Sequence, residues 1–172
     1  MIGGASKVLF FLNVVGLIEA AVLVILIIAA IVLWTRGIAP VLWRLGNGLA
    51  HRKIAVFAKG DTLSSLRSLL VDSKLFRAKN ICEVTYAGDI GRADGASVYL
   101  VFWPDWSEHI DAILASKSDA SPLIVYQPYD RGRLSDSAMA KLDGTRNTAV
   151  TNFRGRLLND VVTSIITTSY EK

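Results

Sequence analysis

Cysteine occurs once in the 172 residues, histidine twice and proline four times. A lone Cys82 excludes an intramolecular disulfide framework and any multi-cysteine zinc site, and it places the soluble part most simply in a reducing compartment. His51 and His109 offer no serine–histidine–aspartate set, and no metal site is expected. Neither a G-x-G-x-x-G stretch nor a P-loop occurs, so the two common phosphate-cradling loops are absent. Charge is sparse, with 20% of residues charged against about a quarter in an average soluble domain. The net charge of +4 is confined to residues 1–53, where Lys7, Arg36, Arg44, Arg52 and Lys53 face Glu19 alone. The remainder balances acids and bases. A surface that tracks phosphates needs clustered Lys and Arg, so no nucleic-acid partner is expected.

What the chain has in excess is apolar length. From Val8 to Trp34 it reads VLFFLNVVGLIEAAVLVILIIAAIVLW with one ionisable residue, and about 20 apolar residues suffice to span a bilayer as helix. Residues 1–36 are therefore read as a transmembrane segment with the lipid bilayer as its partner. A secretory signal has a shorter apolar core and a small-residue cleavage site close behind it. Here the nearest such position is Ala50, well beyond Arg36 and Arg44. The basic residues follow the span, which predicts a single-pass protein of the inner (cytoplasmic) membrane, N-out and C-in, with its soluble part in the cytoplasm. Residues 37–53 read as an amphipathic neck with Trp34 and Trp43 as interfacial rings and Pro40 as a breaker. Gly46, Asn47 and Gly48 read as a joint.

Glu19 is the exception inside the span, because a carboxylate in hydrocarbon costs at least a few kcal/mol. At about 100° per residue, Asn13, Gly16, Glu19 and Ala20 share one sector of the helix, and Gly16 with Ala20 forms a small-xxx-small pair. Self-association through this face, with Glu19 protonated and hydrogen-bonded or ringed around a cation path, is one reading. The other is a Glu19 at the outer interface of a shorter span.

From Ile54 onward, apolar β-rich runs alternate with helical patterns. Strands are expected at 53–59, 80–86, 97–103, 122–128 and 147–153. Helical stretches are expected at 62–76, 106–117, 135–142 and 154–169, with a short segment at 89–96. Continuous apolar strands separated by helices predict an α/β three-layer sandwich: a five-stranded parallel, flavodoxin-like sheet of order 2-1-3-4-5 in residues 54–172. Ligands of such sheets bind outside the carboxyl ends of the strands. After the first strand stand Lys59, Gly60 and Asp61, with Asp61 an expected N-cap. After the third come Trp103, Asp105, Trp106 and Glu108, two indoles suited to stacking or a protein contact. After the fourth and fifth come Arg131, Arg133, Arg154 and Arg156, able to take phosphate or carboxylate, or else neutralised by Asp130, Asp136 and Asp160.

Two families share this layout. A response-regulator receiver needs an acidic pair after the first strand, an aspartate after the third and a lysine after the fifth. Only Asp105 approaches that set, which argues against phosphotransfer. The stretch DIGRADGASVYLVFWPDWSEHIDAIL (89–114) resembles the middle of a TIR-like domain, where an apolar third strand leads to a Trp-containing loop and a helix bearing a catalytic glutamate. The resemblance implies that Glu108 is the nicotinamide-ribose residue of an NAD-cleaving enzyme. It also implies a module of the kind that acts in bacterial immune signalling and assembles through its surfaces. The leading expectation is a membrane-anchored signalling or effector protein, homo-oligomeric or docked to a partner protein, whose cytosolic domain assembles or senses a ligand. The alternatives are a NAD glycohydrolase using Glu108 and a nucleotide sensor using Lys59, Arg131 and Arg154.

Overall fold

The computed structural model describes residues 3–40, 46, 49 and 51–168. The chain forms two compact units that divide between Leu45 and Gly46.

The first unit is helix α1 (Gly3–Leu33), continued by a π-helical stretch at Trp34–Ile38. The span Asn13–Ile38 is long and apolar enough to cross a membrane. A helix satisfies its own backbone groups internally, which is the condition any open-ended segment must meet in hydrocarbon. Asn13, Gly16, Glu19 and Ala20 are all exposed along it. At its end the Thr35 hydroxyl, which holds a single proton, lies 2.8 Å from the Ile31 carbonyl and 3.1 Å from that of Val32. Such back-bonding competes with the regular ladder, and the Ala39 N–H reaches the Trp34 carbonyl in the wider π pattern. Trp43, Arg44, Asn47 and Gly48 of the expected neck lie outside the described residues.

The second unit holds five strands, β1 (Ile54–Phe57), β2 (Ile81–Val84), β3 (Val98–Phe102), β4 (Leu123–Tyr126) and β5 (Thr148–Thr151). All pair in parallel in the order β2-β1-β3-β4-β5, with Ile54 opposite both Ile81 and Val98. Helices α2 (Gly60–Asp72), α3 (Trp103–Trp106), α4 (Ile110–Ser116), α5 (Asp136–Asp143) and α6 (Arg154–Thr168) connect and close it. Each expected strand is present and shorter by one or two residues at either end, because ladder pairing stops where the chain turns toward the next element.

The period of two along each strand divides the core. Ile54, Val56, Leu100, Phe102, Ile124 and Tyr126 face α2 and α6, against Leu66, Leu70, Leu157 and Val161. Ala55, Phe57, Tyr99, Val101 and Val125 face the other way, against Ile90, Trp106, Ile110, Ile113 and Leu142. Every residue of β1, β3 and β4 is buried, whereas Ile81, Cys82 and Glu83 of β2 and Thr148, Ala149 and Val150 of β5 are half-buried at the two edges. Leu49 also enters the α2/α6 core, so the packed unit begins before the first strand.

Tyr99 is the one hydroxyl-bearing ring at the centre of the sheet. Its oxygen lies 3.0 Å from the Ala93 carbonyl and 3.1 Å from that of Ser116, sharing one proton between them. Burial raises its pKa above the ordinary value of 10.0, since a phenolate there would lose its hydration. The folded-state value exceeds the unfolded one, so this contribution is complete below pH 10 and is lost as pH rises through the raised folded value. Tyr99→Phe is expected to cost about 1 kcal/mol at pH 7 and to flatten the loss of stability above pH 10. Urea denaturation of both proteins in detergent from pH 8 to 11.5 checks this; parallel pH profiles would contradict it.

Candidate functional site

In a sheet of this order the loops after β1 and β3 leave toward opposite faces, and the crevice between them is the usual place for a ligand. Here it is bridged. β1 ends at Phe57, Lys59 is extended, and Gly60, with φ of +51°, turns the chain into α2; that left-handed φ is available to glycine at little cost. The helix thus starts two residues earlier than expected, so Asp61 lies in its first turn and is not its N-cap. The N-cap is Lys59, which makes no side-chain cap. Its backbone N–H donates instead to Asp105 Oδ2 at 2.8 Å, reaching from the β3 side.

The indoles behave differently from the stacking platform expected of them. Trp106 is fully buried, edge-on to Phe57 at 5.2 Å and beside His109 at 5.7 Å. Lys59 Nζ lies 5.7 Å from its ring centroid, within the range of a cation–π contact. Its N–H has no hydrogen-bond partner. Trp103 is half-buried against the same core. Both rings fill the domain because α3 starts directly at the end of β3 and leaves no loop to carry them outward. Glu108 is exposed in the turn Ser107–His109, and it lines neither of the clefts described below.

The open concavity at the carboxyl edge lies on the α2/α6 side. It measures about 290 Å³ and is lined by Asp61, Thr62 and Ser65 of α2, Phe102 and Tyr126 from the ends of β3 and β4, Pro128, Asp130 and Arg131 of the following loop, and Arg154. Arg154 Nη2 spans to the Ser65 carbonyl at 3.0 Å, tying α6 to α2. Arg131 Nε stands 3.9 Å from Asp130 Oδ2, with both side chains largely exposed. At that distance and exposure the pair contributes little and is free to rearrange around a ligand. Of the residues singled out in the sequence, the cleft gathers Asp61, Arg131 and Arg154. Lys59, Trp103, Asp105, Trp106 and Glu108 are not among its lining, and Arg156 pairs with Asp160 at 3.8 Å along α6.

Sequence reasoning missed Ser65 as lining, although its spacing of three from Thr62 in the first turns of α2 puts both on one helix side. It treated Asp130 only as a neutraliser. It also missed Gln127, which is buried at the end of β4. Gln127 Nε2 donates to the carbonyls of Arg131 and Gly132, each at 3.0 Å, and so holds the loop that follows. Gly132, at φ of +89°, completes that loop. Its other side forms a second cleft of about 300 Å³ with Gln127, Tyr129, Arg133, Leu134, Met139, Val150 and Asn152. One loop is therefore the wall between two clefts.

Among the described residues no group of three or more His, Cys, Asp or Glu is placed to hold a metal ion. Comparison with family models, curated proteins and solved structures finds no significant match to the chain.

Asp105 supplies a side-chain bond across the carboxyl end of the β1/β3 divide, and hydrogen bonds to charged groups contribute about 1.5–3 kcal/mol. Asp105→Ala is expected to destabilise the protein by that amount, and Asp105→Asn, which keeps an acceptor, by less. Urea melts of the two variants check the order; equal losses would contradict it.

Proposed function

We propose that this protein is a single-pass membrane-anchored sensor. Its α/β domain takes a small ligand in the cleft lined by Asp61, Thr62, Ser65, Asp130, Arg131 and Arg154, and passes the bound state to the association of its membrane helix. The carrying observation is the cleft itself. On the floor made by the ends of β3 and β4 it gathers the first turns of α2, the loop after β4 and the start of α6, so an occupant changes how those elements are held together. Its volume lies at the lower end of the range for small-molecule sites, about 300–1,000 Å³, which suits a compact ligand better than a whole dinucleotide.

The membrane half of the proposal rests on Glu19, which stands in an apolar helix beside Gly16 and Ala20. Close approach of two helices over small residues lets one protonated carboxyl hydrogen-bond to its neighbour, removing an unsatisfied group from hydrocarbon. The protein is accordingly read as a homo-oligomer of the inner membrane. Its basic flank Arg36, Arg52 and Lys53 lies on the cytoplasmic side, and the sandwich is the flavodoxin-like kind shared by TIR-like modules. A NAD-cleaving role through Glu108 draws on that resemblance alone, since the carboxylate lies outside both clefts.

Molar mass of the full chain in detergent, by light scattering after size exclusion, tests the reading. A discrete oligomer is expected for the wild type, and Glu19→Leu is expected to shift it toward monomer while leaving the far-ultraviolet spectrum of the domain unchanged. Monomer for both, or the same oligomer for both, would contradict association through the Glu19 face.

A further inference from the structure

The charges that line the α2/α6 cleft come in opposite pairs. Asp61 and Asp130 bring two carboxylates, Arg131 and Arg154 two guanidiniums, and Thr62 and Ser65 two hydroxyls. The formal charge of the lining is zero, which bears directly on what fits. A phosphate dianion is drawn by the arginines but meets two carboxylates, and like charges brought together in a cleft disfavour binding. A simple amine meets the opposite problem. A ligand with one centre of each sign finds partners for both, without leaving a desolvated charge unpaired.

The two signs are also placed unequally. Arg154 opens α6, a helix of 15 residues, and the first-turn N–H groups there favour negative charge. The planar fork of a guanidinium suits a carboxylate in the bidentate manner. Asp130 stands in the loop on the Arg131 side, largely exposed and held by Arg131 only at 3.9 Å, so it can turn to an incoming ammonium. We infer that the cleft binds a small zwitterion, an amino acid or dipeptide, with its carboxylate toward Arg154 and its ammonium toward Asp130. This rests on the reading of the cleft as the sensor's ligand site and names the class of ligand. It also gives Asp61 and Asp130 a task that mere neutralisation of the arginines would not: rejection of anions.

Thermal unfolding of the full-length protein in detergent, followed by its tryptophan fluorescence, tests the inference. The probes are L-leucine, L-glutamate, L-arginine and glycylglycine, set against 4-methylpentanoate and 3-methylbutylamine, which are leucine without its amine and without its carboxylate. Inorganic phosphate and adenosine monophosphate complete the panel. The expected result is saturable stabilisation by at least one zwitterion and by neither half-molecule at the same concentration. Arg154→Gln and Asp130→Asn are each expected to weaken that binding tenfold or more, whereas Arg92→Gln, on an ion pair outside the cleft lining, leaves it unchanged. Stabilisation by phosphate or the nucleotide, strengthened by Asp130→Asn, would overturn the zwitterion and leave a sensor of anions. No stabilisation by any probe would overturn the ligand class and the cleft as its site together.

Discussion

Burial on both faces is the constraint from which the rest of this domain follows. A parallel sheet whose crossovers lie on each side has no solvent face, and β1, β3 and β4 are buried at every position. Side chains able to do chemistry are therefore confined to the ends of the strands and the loops that leave them. At the carboxyl end the first of those openings, between β1 and β3, is used for structure. Asp105 takes the Lys59 N–H at 2.8 Å, and Trp106 fills the space beneath. What stays open is displaced by one strand, to the side where α2, α6 and the loop after β4 meet.

That displacement gives the domain a mechanical character. The loop after β4 presents Asp130 and Arg131 to one cleft and Tyr129 and Arg133 to the other, and the buried amide of Gln127 holds two of its carbonyls. An occupant on one side meets a wall that is also the boundary of the other side. On the far face Tyr129 and Phe153 pair edge to face at 5.2 Å, both more than half exposed, and so mark the surface that a shift of this loop would alter. Helix α1 carries its own exception in Glu19, an ionisable group among apolar neighbours.

The strands were legible because double burial writes itself as continuous apolar runs; SVYLVFW and PLIVYQP could hardly be anything else in this alternating context. Their order, β2-β1-β3-β4-β5, is the one expected of five such units wound in the flavodoxin-like manner. Arg131 and Arg154 were legible as a pair because both stand just beyond a strand. Trp106 was not, since an aromatic after a strand reads the same whether α3 begins at once and buries it or a loop intervenes and exposes it. Asp61 is not the cap because Gly60, at positive φ, begins the helix two residues early and makes Lys59 the N-cap, whose N–H is taken by a residue 46 positions away. Such long-range bonds have no local signature. The zwitterionic character of the cleft needed the same third dimension, since Asp130 beside Arg131 looks in sequence like simple neutralisation.

The division of the carboxyl edge into a clasped half and an open half can be read at one backbone proton. Hydrogen exchange of the Lys59 amide, measured residue by residue in the full-length protein, reports whether that N–H is bonded. Protection comparable to that of the amides inside β1 is expected, and its loss in Asp105→Ala. Exchange of the wild-type amide at the rate of an unbonded loop would contradict it, and would return the β1/β3 crevice to the position of the open site.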